Sequence, residues 1–213
     1  MRHFDIIICG VGGTGVIGLG ELLRKAAMFE GHKVLGTESR GSGQRGGPAT
    51  ASVRFTTLDE KEEYDDRTAL WAGSVGVGGA DLMIATEAAE ALRNAHYLSE
   101  HSNVALNTFT FKPTQTRQEI KAKSQKYPSI DEVVAMLHRV TTQVYIFNAS
   151  AMSMDHFGTY RMTNPILVGF ALARGLLPLK VDTVRSLLRG SAQEALELGF
   201  QTGSSSESEK ASH

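Results

Sequence analysis

Gly10-Val11-Gly12-Gly13-Thr14-Gly15 sets its glycines at Gly-x-Gly-x-x-Gly spacing, directly after the apolar run Phe4 to Cys9 and before a segment of helical periodicity. That is the setting of a phosphate-binding turn. Glycine lets the backbone turn tightly and a ligand approach, and a helix start offers unbonded N–H groups to an anion. Glu38, at the end of the second expected strand, stands where a dinucleotide site places its ribose-binding carboxylate. Gly10, Gly12, Gly13, Thr14 and Gly15 are therefore one candidate site, and NAD or FAD is one candidate ligand. The same glycines equally suit close helix–sheet packing with no ligand. The second candidate is Gln44-Arg45-Gly46-Gly47-Pro48. An arginine between glycines, with proline fixing the next turn, is a guanidinium able to fork onto carboxylate or phosphate. The alternative is a surface arginine in a mobile loop.

Other chemistries are excluded by count. The only cysteine is Cys9, so the chain alone can form no disulfide, no cysteine zinc site and no iron–sulfur cluster. None of the seven histidines stands in a His-Glu-x-x-His pattern, so no metal is expected. A Tyr-x-x-x-Lys proton donor is absent, and no catalytic residue is assigned to the chain by itself. Across 213 residues, 22 Lys and Arg face 23 Asp and Glu, a formal net charge of −1. Such a balance gives no pull toward nucleic acid or an anionic membrane. No apolar run reaches the ~20 residues of a membrane span, and the N-terminus shows no signal-peptide cleavage region. The expected location is cytoplasmic.

The elements that must position these residues alternate between strand and helix. Phe4–Cys9 reads as a buried parallel strand, Val16 to Glu30 as an amphipathic helix stopped by Gly31, and His32 to Thr37 as a second strand, the opening βαβ unit of a doubly wound sheet. Glu38 to Pro48 reads as a polar loop, expected at the sheet's carboxyl edge and partly mobile. Ala49 to Thr57 alternates like a half-exposed strand, and Asp59 to Asp66 reads as a solvated connection. Ala80 to Glu87, Asn103 to Thr110 and Gln143 to Asn148 read as further strands, with a helix over Ala88 to Leu98. Ser129 and Glu132 have the spacing of a capping box. Asn164-Pro165 predicts a helix start with Asn164 as cap, and Asp182 a cap for the last helix. The expected fold class is α/β, a three-layer Rossmann-like domain with a mostly parallel sheet. It occupies residues 1–200 as a single domain, and the Ser-rich tail 201–213 is expected to be disordered.

The run GVGGTGVIGLGELLRKAAMFEGHKV followed by ESRGSGQRGGPATASVRF resembles the gamma subunit of 2-oxoacid:ferredoxin oxidoreductases, whose counterpart in two-subunit indolepyruvate enzymes is the beta subunit. The resemblance continues through ADLMIATEAAEALRNAHYL, VALNTFTFKP and NPILVGFALARGLLPL. The Gln-Arg-Gly-Gly form after Glu38-x-x-Gly41 resembles the indolepyruvate branch more than the pyruvate branch. The resemblance implies oxidative decarboxylation of a 2-oxoacid to an acyl-CoA, with electrons passing to ferredoxin. This chain lacks the Gly-Asp-Gly diphosphate motif and the cysteines. Thiamine diphosphate, magnesium and the iron–sulfur clusters are therefore expected on a partner subunit, with coenzyme A as co-substrate. The chain itself would bind none of them alone. Gln44, Arg45, Gly46 and Gly47 would close the cleft, and the glycine turn would hold an anionic group such as a coenzyme A phosphate. Two other readings stay open: a free-standing NAD(P)- or FAD-binding oxidoreductase built on Gly10, Gly12, Gly15 and Glu38, and a packing module without a ligand.

Overall fold

A computed structural model of the chain describes residues 2–41, 47–57, 70–110 and 127–205. Gln44, Arg45 and Gly46, the connection Asp59 to Asp66 and the tail beyond Ser205 lie outside the described residues.

Strand β1 is Arg2–Val11 and helix α1 is Val16–Phe29, ending where Gly31 takes φ 84°. The expected second strand and part of the expected loop form two short strands, β2 (Lys33–Leu35) and β3 (Glu38–Arg40). Both pair antiparallel with β4 (Pro48–Thr57). Strand β4 in turn pairs antiparallel with β1 along its whole length, Arg2 opposite Thr57 and Val11 opposite Pro48. The opening unit is therefore split: β4 lies between β1 and β2, where a doubly wound sheet would pair them directly. Strands β5 (Leu82–Ala85), β6 (Asn103–Asn107) and β7 (Val144–Phe147) add in parallel on the other side of β1. The seven-stranded sheet runs β2-β4-β1-β5-β6-β7, with β3 also beside β4. Every strand but β4 points the same way, so the sheet is mostly parallel.

Strand β4 is not half-exposed. Its outward Ser52 and Thr56 are buried, and residues 72–74 lie against Ser52 and Arg54. The Ser52 hydroxyl donates to Gly73 O at 2.5 Å, and Arg54 Nη1 donates to Ala72 O at 2.9 Å and Ser74 O at 3.1 Å. Arg54 also forks onto the buried Asp5 opposite it, Nε to Oδ1 at 2.9 Å and Nη2 to Oδ2 at 2.8 Å. Sequence alternation reports side-chain polarity, and here the polar face is roofed by backbone carbonyls rather than by water.

The remaining helices are α2 (Ala88–Arg93), α3 (Ile130–Leu137), α4 (Ala149–Phe157), α5 (Thr163–Ala173), α6 (Val181–Leu187) and α7 (Ser191–Ser205). They form the two outer layers. Ile6, Ile8, Leu82 and Ile84 point to the layer holding α1 and α5, whereas Ile7, Cys9, Met83 and Ala85 point to that of α2 and α3. The Ser129–Glu132 capping box is present, with Ser129 N donating to Glu132 Oε2 at 2.7 Å and Glu132 N to Ser129 Oγ at 3.2 Å. Four helix expectations need correction. Helix α2 stops at Arg93 and a 3₁₀ turn, Ala95–Tyr97, follows it. Asp182 lies inside the first turn of α6 instead of capping it, and α7 continues through Gln201–Ser205, residues expected in the tail. Helix α5 begins at Thr163 after a 3₁₀ turn, Tyr160–Met162, so Asn164 is not its cap.

Candidate functional site at the carboxyl edge of the sheet

Neighbouring parallel strands β1 and β5 send their following helices to opposite faces, since α1 packs in one core layer and α2 in the other. A crevice opens at such a switch point beyond the strand ends. The glycine turn sits there, and its glycines do different work. A Cβ on Gly10 would lie 1.9 Å from Thr86 Oγ1 and 2.9 Å from Val16 Cγ2, so Gly10 allows close packing. Gly13 (φ 98°) and Gly18 in the first turn of α1 would each place a Cβ in open space, so this side of the turn is accessible. Gly15 adopts φ 81° at the head of α1 and gives the helix no side-chain cap. The first N–H groups of α1 are thus left for solvent or an anion.

A ring of hydrogen bonds holds the turn. Thr14 N and Oγ1 both donate to Val11 O, at 3.0 and 2.8 Å. The Thr14 and Thr86 hydroxyls meet at 3.0 Å. Asn107 Nδ2 donates to Thr86 O and to Ser150 Oγ, both at 2.9 Å. The Ser150 hydroxyl lies 3.4 Å from that of Thr163, and Asn164 Nδ2 closes the ring by donating to Thr14 O at 3.0 Å. Asn107, Ser150 and Thr163 are buried, and buried polar groups must pair in this way to repay their lost hydration.

The two candidate motifs meet. Gly12 N donates to Gly47 O at 2.7 Å, which fastens the turn to the residue that closes the arginine loop. Glu38 does not join them. Ala51 of β4 stands between it and Ile8 of β1 in the register, and its carboxylate is 2.5 Å from Arg24 Nη2 and 3.6 Å from Arg40 Nη2. With the ribose position taken out of the crevice and its carboxylate in an ion pair, the NAD or FAD reading loses the carboxylate it needs at the ribose.

A buried acidic group under the turn escaped the sequence reading. Glu87 is fully buried; its Oε2 accepts from Glu90 N at 3.0 Å, capping α2, and its Oε1 accepts from Tyr127 Oη at 2.7 Å. Burial, and next the hydrogen bond to Glu87, pushes the Tyr127 phenol up. Burial pushes the Glu90 carboxyl up too, with Arg93 opposing and Glu87 adding. Cys9 is fully buried, and burial followed by the Glu90 and Glu87 carboxylates raises its thiol well above the ordinary range. A thiol so held is an unreactive core group. A Glu that ends an apolar strand just before an Ala-Ala helix start is the available signal for such a cap.

Residues 5–201 match the pyruvate ferredoxin/flavodoxin oxidoreductase family. The chain belongs to that family. Among relatives, it is 32% identical over 206 residues to the indolepyruvate oxidoreductase subunit IorB of Archaeoglobus fulgidus, covering 93% of this chain and 94% of that one. The same-named subunit of Pyrococcus horikoshii is 30% identical over 190 residues, covering 89% and 86%. Among solved structures, the keto/oxoacid ferredoxin oxidoreductase gamma subunit of Geobacter sulfurreducens superposes with a TM-score of 0.60 at 16% identity, over 94% of this chain and 98% of that one. The 2-oxoglutarate:ferredoxin oxidoreductase of Magnetococcus marinus, with 2-oxoglutarate, coenzyme A and succinyl-CoA bound, gives 0.63 at 14% identity, over 96% of this chain and 31% of that one. The split, mostly parallel sheet is thus the fold on which this pyruvate ferredoxin/flavodoxin oxidoreductase family member builds its glycine turn.

Proposed function

We propose that this chain is the thiamine-free, cluster-free subunit of a 2-oxoacid:ferredoxin oxidoreductase of the indolepyruvate class, and that its carboxyl edge completes the active-site cleft of the complex. One observation carries the reading: the 2.7 Å hydrogen bond from Gly12 to Gly47. It brings the glycine turn and the base of the Gln44–Gly47 loop to a single place at the end of β1. Gly12, Gly13, Thr14 and Gly15 would present backbone N–H groups to an anionic group such as a phosphate of coenzyme A. Gln44, Arg45 and Gly46 directly precede Gly47 in the sequence, and Arg45 would fork onto phosphate or the 2-oxoacid carboxylate. Both acts bind, orient and exclude water; neither makes or breaks a covalent bond.

The redox and carbanion chemistry belongs on the partner. Cys9 is unfit to ligate iron, being fully buried with its thiol held protonated, and one cysteine cannot supply a four-thiolate cluster. Thiamine diphosphate with its magnesium, held by the partner, would supply the electron sink for decarboxylation. Within this reading, ferredoxin docks on the complex and the enzyme works in the cytoplasm.

The test is the complex reconstituted with its thiamine-bearing partner and assayed for 2-oxoacid- and coenzyme A-dependent ferredoxin reduction. Arg45→Ala should cost about 1.5–3 kcal/mol of binding, roughly ten- to hundredfold in KM for coenzyme A or the oxoacid. The unfolding free energy of the chain should change by about 0.5 kcal/mol or less, as for a surface substitution. An Arg45→Ala chain that melts early yet assembles with unchanged kinetics would reverse the role assigned to this arginine.

A further inference from the structure

The glycine turn and the first turn of α5 are joined directly by one side chain. Asn164 Nδ2 donates to Thr14 O at 3.0 Å, a bond between residues 150 positions apart. Its Oδ1 is buried with no partner among the described residues. A buried, unpaired acceptor is a liability, so what this side chain contributes is its donor. The donor lands on the carbonyl just before Gly15. There φ is 81°, and a Cβ would lie only 2.6 Å from Asn164 Nδ2. The amide therefore occupies the space beside Gly15 while it holds the preceding peptide.

Helix α5 is a firm anchor for such a clamp. Residues 165–172 are all buried. On α5 a Cβ at Gly169 would lie 2.0 Å from Leu196 O, and on α7 one at Gly199 would lie 2.0 Å from Ile166 O. The helices thus pack backbone to backbone with no room to slide.

We infer that Asn164 is a positioning residue of the glycine turn: by clamping the Thr14 carbonyl to α5, it fixes the direction in which the N–H groups at the head of α1 face a ligand. This rests on the reading of the turn as an anion cradle. The role is electrostatic and directional, which separates it from simple space-filling. Asn164→Asp keeps the shape but turns a carboxylate oxygen toward the Thr14 carbonyl; Asn164→Ala removes the group.

Hydrogen–deuterium exchange on the full chain reads the clamp without activity. Losing one hydrogen bond should speed exchange of the amides of residues 12–19 by roughly tenfold in Asn164→Ala, and by more in Asn164→Asp, while exchange in β5 and β6 stays as in wild type. Thr163→Val, which cuts the neighbouring Ser150 link only, should leave the turn amides unchanged. In the reconstituted complex the same two Asn164 variants should raise KM for coenzyme A by about tenfold with kcat within twofold, because binding geometry and not chemistry is lost. Asn164→Asp exchanging like wild type, or Thr163→Val loosening the turn as much as Asn164→Ala, overturns the proposal. Faster turn exchange with an unchanged KM for coenzyme A supports the clamp and instead removes coenzyme A from the turn.

Discussion

At the residue scale, Gly10, Gly12 and Gly15 of the turn each meet a different neighbour, Thr86, Gly47 and Asn164, and that makes the turn testable one atom at a time. Gly10→Ala would put a Cβ 1.9 Å from Thr86 Oγ1. Such overpacking should cost about 1–3 kcal/mol. Thr86→Ala removes the offending oxygen, so the double variant should lose clearly less than the sum of the singles in a urea-unfolding cycle; strict additivity would place the strain elsewhere. Glu90 allows a pH test. Its carboxyl is raised above the ordinary 4.5, chiefly by burial. Between 4.5 and the raised value, the folded chain holds a proton that the unfolded chain releases, so this contribution is full below 4.5 and lost as pH rises through the folded pKa. Glu90→Gln cannot ionise. It should melt above wild type at pH 8, where the folded wild-type carboxylate is ionised in its buried site. That gap should close as pH falls toward 4.5, and a gap independent of pH would refute the assignment. The turn was legible in the spacing of Gly10, Gly12 and Gly15 because glycine punctuation is local. Thr86 and Asn164 were not, because they reach Thr14 from 72 and 150 positions away.

At the element scale, strand and helix types followed the periodicity, and the errors share one cause. The βαβ opening was legible from apolar runs and caps, yet nothing local in β4 announces that it enters between β1 and β2. An antiparallel strand and a parallel one show the same alternation when both faces are covered, and the pairing partner is decided by tertiary contacts. Asn164-Pro165 looked like a cap for the same reason: the side chain suited a helix start, and only the fold shows that the amide is used by Thr14. The α5–α7 contact makes the strongest element-scale prediction. Gly199→Ala would drive a Cβ to 2.0 Å from Ile166 O, a backbone atom that no rotamer change can move. The helices must separate, so the loss should reach about 3 kcal/mol, the upper end of ordinary overpacking. Equilibrium unfolding within 1 kcal/mol of wild type would show that this packing yields.

At the scale of the whole molecule, the chain closes its own core on both faces of the sheet and gathers a hydrogen-bonded ring about the glycine turn at one edge. The family was legible because its two glycine motifs lie close together near the start of the chain and the similarity runs on to residue 201. What the edge offers is cradle-like: N–H groups, a bonded ring of Thr14, Thr86, Asn107, Ser150, Thr163 and Asn164, and a loop base at Gly47. Among the described residues, Glu87 beside it is committed to the α2 cap and Tyr127, and Glu38, outside the crevice, to Arg24. Its one thiol is buried and held protonated. In the proposed reading the cradle only positions, and the electron sink is supplied by another subunit. Rigorously partner-free chain should therefore reduce no viologen dye with any 2-oxoacid and coenzyme A. Titrated into the partner proposed to carry thiamine diphosphate, it should raise turnover along a saturating curve while its own melting point climbs with partner concentration, as mass action requires of a component that binds only when folded. Turnover by the chain alone, or a partner equally active without it, would show that the edge described here is not part of the active site.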